Sequence, residues 1–382
     1  MSLLLTLLPW LAFLAFLPVL YRRRPRLRDY PSPAGGPRVS VIVPARNEAA
    51  NIGACVRSLL RSSYANAEIV VVDDRSEDGT GEIVKALAER GLEEIVVVEG
   101  EPLPEGWFGK PWACWQGYRR ARGELLLFTD ADTRHEPALL GHAVAAMAAE
   151  RADLVTVLPR QVLASFWERV VMPQFLVALM LRYGNARRVN RARNALDAIA
   201  NGQFILVRRE AYEAIGGHAA VRGEVAEDLR LAQRAVEAGR RVRLVHAEEL
   251  MTTRMYASLR EIVAGWTKNV AIGARQTVAP WLRPALPYLI AAYFLLMWVV
   301  PPAVLAASAI VAVDDVVQGW AAGATALSLL FWFLAYARLR VWRIHSALYP
   351  LGAAVAAWIF LKSALRGARV EWKGRVYGVS AG

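Results

Sequence analysis

The chain has 382 residues, is 55% hydrophobic and carries a formal net charge of +12. That length allows one large domain or two modest ones. Its two cysteines, Cys55 and Cys114, argue against a disulfide framework, and no Cys/His cluster has zinc spacing.

In chain order, residues 3–20 form an uncharged apolar run of about membrane-spanning length. No basic region precedes it and an arginine cluster follows it, the reverse of a secretory signal. The positive-inside rule then places residue 22 onward in the cytoplasm. Residues 22–30, 338–345 and 362–375 carry +4, +3 and +4, and each abuts an apolar stretch. This charge reads as a membrane flank attractive to anionic lipid, so nucleic-acid binding is set aside.

A Pro- and Gly-rich stretch at 30–37 closes the basic linker. Strands are expected at 39–43, 69–72, 95–98, 125–128, 154–158, 204–207 and 242–245. Helices are expected at 48–62, 79–90, 111–122, 137–149 and 225–238. Such alternation implies right-handed crossovers and an α/β domain with a mostly parallel sheet covered on both faces. Ligands bind such sheets beyond the carboxyl ends of the strands. Residues 44–48, Asp73-Asp74 and Asp130-Ala131-Asp132 all fall there.

Residues 162–183 read either as an amphipathic helix on a membrane surface or as a buried core helix. A second amphipathic segment covers 259–274. Residues 286–313, 320–337 and 347–361 read as membrane segments, with Pro301-Pro302 inside the first and Asp314-Asp315 marking an outer loop. Both flanks of the third segment are basic, and one crossing cannot put both in the cytoplasm. Either that segment is re-entrant, or the prolines split the first into a hairpin. The expected order is an N-terminal membrane helix (1–21), a basic juxtamembrane linker (22–37), a catalytic domain (38–281), a C-terminal membrane region (282–363) and a basic cytoplasmic tail (364–382).

Three constellations carry chemistry. The turn from Pro44 to Glu48 follows a strand and offers backbone N–H groups and a carboxylate to a ligand. Asp73 and Asp74 end the second strand, where a carboxylate can accept a hydrogen bond from a nucleobase or ribose. Asp130 and Asp132, spaced i, i+2 after a buried strand, can share a divalent cation; in isolation they read more readily as turn formers.

The V-S-V-I-V-P-A-R-N-E opening, the V-V-V-D-D-R-S-E-D-G-T strand end and the D-A-D resemble family 2 glycosyltransferases of the GT-A fold. The likeness continues through Gly109-Lys110, Asn201-Gly202-Gln203-Phe204 and Glu227-Asp228, over roughly residues 38–270. It implies a sugar-nucleotide donor, UDP-linked, and inversion at the anomeric carbon. Pro44, Glu48, Asp73, Asp74, Lys110 and Asp130 would bind the donor. Asp130 and Asp132 would hold Mn2+ or Mg2+ on the diphosphate. Asp228 would be the general base, with Glu227 the lesser candidate. Asn201, Gly202 and Gln203 would lie on the acceptor side.

Processive members of the family carry Q-x-x-R-W. Here Ile262 and Gly265 replace the Gln and Arg while Trp266 is kept, which favours a single transfer over polymer synthesis. Trp266 reads as lining the acceptor mouth or as an interface anchor. The G-W-F-G-K-P-W-A segment at 106–113 and the W-K-G-R-V-Y at 372–377 are similar to carotenoid-acid and hopanoid-associated glycosyltransferases, which implies a lipid acceptor. The implied protein is a multi-pass inner-membrane enzyme with a cytoplasmic catalytic domain. Its rivals are a polyprenyl-phosphate sugar transferase and a non-catalytic nucleotide-sugar binding protein. His218 could touch acceptor or diphosphate and His246 could support the metal, but each reads more readily as an ordinary surface or strand-end histidine.

Overall fold

The computed structural model describes residues 3–21, 24–89, 95–184, 186–366, 369–372 and 375–378. Arg22, Arg23, Arg90, Lys373 and Gly374, which figure in the expectations above, lie outside the described residues. The chain forms two units. One takes the described residues of Arg24–Val162, Ala186–Met255 and Ala368–Gly382, the other those of Met1–Arg23, Leu163–Asn185 and Tyr256–Gly367.

The strands of the first unit, in chain order, are β1 (Val39–Ala45), β2 (Ala67–Asp73), β3 (Ile95–Glu99), β4 (Leu125–Phe128), β5 (Thr133–His135), β6 (Leu154–Leu158), β7 (Arg160–Gln161), β8 (Ile205–Arg208), β9 (Val242–His246) and β10 (Met251–Thr253). Seven of them form one sheet in the order β3-β2-β1-β4-β8-β6-β9. β8 runs antiparallel to both neighbours and the other pairs are parallel, so the mostly parallel α/β sheet is as expected. The central strands are near-continuous apolar runs because both faces are covered. Val41, Ile42 and Val43 are buried, as are Val70 to Val72 and Leu125 to Phe128. Helix Gly109–Arg120 packs so closely that a Cβ on Gly117 would meet the Ile42 side chain.

Register sets the site. Ala45 lies opposite Asp73 and Ile42 opposite Phe128, so β1, β2 and β4 end on one sheet edge. Pro44 is tolerated in this central strand because β4 pairing stops at Ile42. Its missing N–H falls on the side where no ladder partner remains. β5, β10 and β7 form a separate three-stranded sheet. Residues 369–372 and 375–378 pair antiparallel as a two-stranded sheet.

In the second unit the N-terminal apolar run is two helices, Leu3–Leu14 and Leu17–Tyr21, and not one continuous helix. Three helical runs, Leu286–Ala307, Asp315–Arg338 and Arg343–Leu365, are long and apolar enough to cross a membrane. The first continues through Pro301-Pro302, with a π-helical turn at Leu295–Val299, so the hairpin alternative does not hold. Pro301 lacks the N–H that would serve the Met297 carbonyl. The Trp10 indole takes that carbonyl instead, at 3.1 Å.

Helix Phe166–Arg182 buries Glu168, residues 170–175 and Val177, which is the pattern of a packed helix and not of one with a single apolar face. Ser165 and Glu168 form a capping box at its start, which explains a buried acid in an apolar run. Division by contacts differs from the expected 38–281 domain. Residues 163–185 and 256–281 cluster with the apolar helices, where Val170, Phe175, Ile262 and Val263 share a core with Phe294 and Phe360.

Candidate functional site

The loops after β1 and β2 are knitted together. Asn47 adopts a left-handed backbone at φ 51°, a conformation that asparagine tolerates. Its N–H donates to Ser76 Oγ, and its side-chain oxygen accepts from the Glu77 N–H. The Glu48 N–H donates to Thr80 Oγ1 at 2.8 Å. Arg46, which sequence reasoning passed over, donates from Nη1 to the carbonyls of Asp74 and Arg75 at 2.7 and 2.9 Å. Asp73 Oδ1 accepts from the Ser76 N–H, and Asp74 is buried.

The second half of the site gathers on Lys110. It lies in the first turn of helix Gly109–Arg120, and its Nζ sits 2.8 Å from Asp130 Oδ1 and 3.0 Å from Glu227 Oε1. Asp130 follows β4, and Glu227 opens helix Glu227–Glu237. One ammonium thus joins the expected donor side to the expected acceptor side. Burial works against the charge on Lys110, but Asp130, Glu227 and Asp228 outweigh it and hold its pKa well above the usual lysine range.

Asp228 is fixed by two backbone donors. Gly202 N–H reaches Oδ2 at 2.8 Å and Leu229 N–H reaches Oδ1 at 2.7 Å. Burial, with the Glu227 charge beside it, pushes the Asp228 carboxyl up to about 6. A carboxyl raised towards neutrality can take up a proton near physiological pH. Gly202 allows this close approach, because a Cβ would stand 2.9 Å from Lys110 Nζ and 3.1 Å from Asp228 Oδ2 and one of them would have to shift.

Asp130 and Asp132 differ in their commitments. Asp130 is held by Lys110, and burial raises its pKa. Burial, then Asp130 and Glu48, push Asp132 up to about 7. Asp132 Oδ1 is buried without a hydrogen-bond partner. A buried carboxylate oxygen left unpaired beside a second carboxylate suits a hard divalent cation. No group of three or more His, Cys, Asp or Glu among the described residues forms a complete protein cage. Mg2+ bound through one or two carboxylates plus substrate phosphates needs none.

Other expectations shift. The Asn201 and Gln203 side chains are committed to the scaffold: Asn201 Nδ2 donates to the Val157 carbonyl and Gln203 Nε2 to Thr253 Oγ1, leaving the Gly202 backbone to face Asp228. Thr129 Oγ1, not singled out in the sequence, anchors this segment by donating to the Gln203 carbonyl at 2.8 Å. His218 is neither a surface group nor a free ligand. It is buried, bonded to Tyr212 Oη at 2.9 Å and set edge-on to Phe128, and burial lowers its pKa to about 4. His246 ends β9, three strands from β4 and so roughly 14 Å away along the sheet. Its ring meets Arg24 and Glu248, which removes it as support for a metal at Asp132. Trp266 belongs to the second unit, where it stacks on Phe175 at 4.2 Å.

Residues 40–216 match the family model described as glycosyl transferase family 2. A 4,4'-diaponeurosporenoate glycosyltransferase from Staphylococcus haemolyticus is 26% identical over 242 residues, covering 63% of this chain and 62% of that protein. Its counterpart from Staphylococcus aureus is 24% identical over 265 residues, 68% of each chain. This chain therefore spans just under two thirds of the first of these relatives. A mannosyltransferase from Pyrobaculum calidifontis, solved in complex with GDP-Man and Mn2+, superposes with a TM-score of 0.57 at 24% identity, covering 94% of this chain and 99% of that one. That likeness shows the fold, and the GT-A fold implied by the motifs stands.

Proposed function

We propose that this chain, a member of glycosyltransferase family 2, transfers one sugar from a sugar nucleotide to a lipid acceptor at a membrane, with inversion at the anomeric carbon. The observation that carries this reading is Lys110, which holds Asp130 and Glu227 on one ammonium with Asp228 beside them. The turn at Glu48 and the acids Asp73 and Asp74 would take the nucleoside. Asp130 and Asp132 would hold Mn2+ or Mg2+, which when bound neutralises charge on the leaving diphosphate. Lys110 supplies a second positive charge there.

Asp228 accepts the proton of an acceptor hydroxyl while that oxygen bonds to the anomeric carbon and the nucleoside diphosphate leaves with its bonding pair. The Gly202 and Leu229 N–H groups hold its two oxygens in place and leave each a free lone pair. The lipid acceptor is supported by the 4,4'-diaponeurosporenoate glycosyltransferase relatives and by three helices of membrane-spanning length. With the basic flanks on the cytoplasmic side, the chain would be a multi-pass inner-membrane protein.

A donor screen on membranes containing the full chain tests this, with lipid products read by mass spectrometry. One hexose on a neutral or carboxylated lipid supports it. A product found only on polyprenyl phosphate would replace it with carrier-lipid synthesis.

A further inference from the structure

Two arginine-rich segments far apart in sequence meet on one strand of the first unit. β9 is an edge strand, paired on one side with β6. Its other side is taken twice. Asn190 brackets Leu244, donating from Nδ2 to its carbonyl at 3.1 Å and accepting its N–H at 2.7 Å. Pro25 accepts the His246 N–H at 2.9 Å, and Arg26 bridges His246. Leu244 and His246 are two residues apart, about 7 Å along a strand.

The edge thus brings residues 24–28 beside residues 187–193. Some of their charge is locally spent: Arg24 pairs with Glu248 and Arg188 with Asp197, each at 2.9 Å, and Arg28 pairs with Glu249. Arg26, Arg187, Arg191 and Arg193 are exposed and make no ion pair among the described residues.

We propose that these four arginines form a docking patch for anionic phospholipid headgroups. Every basic residue in the two segments is arginine, whose planar fork matches phosphate oxygens in pairs. Neither 24–28 nor 186–197 contains an aromatic residue on which a nucleobase could stack. Arg24 follows the apolar helix Leu17–Tyr21 by three positions, and Arg187 follows helix Phe166–Arg182 by five. Both segments are therefore tied in sequence to apolar helices. The assignment rests on the membrane placement proposed above.

The patch goes beyond a basic flank beside a span, because three of its four arginines lie at least 161 residues downstream of Arg26, in and just after the short helix Arg187–Asn190. A basic residue near an anionic surface is worth about a fivefold change in partitioning, so four are worth about 10²- to 10³-fold.

The test is hydrogen exchange on the full chain in nanodiscs of phosphatidylcholine alone or in equal parts with phosphatidylglycerol. We expect residues 186–193 to exchange several-fold more slowly with phosphatidylglycerol, and high salt to remove the difference. R26Q/R187Q/R191Q/R193Q should abolish it while exchange in β1 and β4 stays as in the parent, showing an intact fold. Equal exchange in both lipid mixtures overturns the patch. The same slowing in phosphatidylcholine discs on adding inorganic phosphate or RNA overturns the lipid as its ligand. A chain that remains soluble without detergent or disc contradicts the membrane placement itself, which separates the two failures.

Discussion

Gly202 donates its backbone N–H to Asp228 Oδ2 at 2.8 Å, and the same residue leaves the space that the Lys110 ammonium needs. A methyl group at position 202 must displace Lys110, Asp228 or both. Gly202→Ala should leave the fold intact and lower turnover by roughly tenfold, since a shift of Lys110 or Asp228 by part of an ångström costs less than the roughly 10²-fold of a full one. Steady-state kinetics beside a thermal melt check this; parent-like turnover would mean the close approach is not needed.

Removing the charge on Lys110 leaves Asp130, Glu227 and Asp228 facing one another. Lys110→Met should weaken sugar-nucleotide binding by about tenfold or more, since an uncompensated buried charge is costly. It should also raise the Asp228 pKa, because the nearby cation that favours the carboxylate is gone. Calorimetric titration of the nucleotide and the acid limb of the pH profile report the two effects separately.

The proposed base, Asp228, must be unprotonated to act. Burial and Glu227 raise Asp228 to about 6, so transfer to a hydroxyl acceptor should rise as pH increases through that value and level off above it. Asp228→Asn should lose this limb and about 10²-fold or more in turnover. A carboxylate acceptor is already ionised at neutral pH and brings no proton to remove, so D228N should spare transfer to such an acceptor. A pH–rate profile on both acceptor types reads the difference.

Asp132 Oδ1 is buried and unpaired, while Asp130 is engaged by Lys110. Asp132→Ala should therefore weaken Mn2+-dependent UDP affinity without unfolding the sheet. Unchanged metal-dependent affinity would remove Asp132 as a ligand.

The Trp10 indole serves the carbonyl that Pro301 leaves unmatched. Trp10→Phe keeps the ring and deletes the donor, so it should cost about 1 kcal/mol, the net contribution of one part-buried hydrogen bond. Thermal unfolding in detergent measures it.

The sheet was legible because its strands are continuous apolar runs with acids or polar turns at their carboxyl ends. The same pattern placed Glu48, Asp73, Asp74, Asp130 and Asp132 on one edge. β5, β7 and β10 escaped notice because two or three mostly polar residues carry no periodicity. The split between units was hidden in helix Phe166–Arg182, whose charges at Glu168 and Arg169 suggested an exposed face. Glu168 is instead folded into a capping box, and Arg169 Nε reaches the Leu163 carbonyl. Charge summed by segment hid the arginines at 187–193, because acids elsewhere cancel them. Thr129 and Arg46 act on backbone carbonyls, a role that residue type and spacing do not reveal.

The most direct test of the proposed reaction is product analysis with purified full chain in lipid discs, supplied with an α-linked sugar nucleotide and candidate lipid acceptors. The account predicts one sugar per lipid, joined in the β configuration. For a hydroxyl acceptor, formation should require a divalent cation and be lost in D228N. A product that keeps the donor's α configuration, or a lipid that gains no sugar with any nucleotide donor, would contradict it.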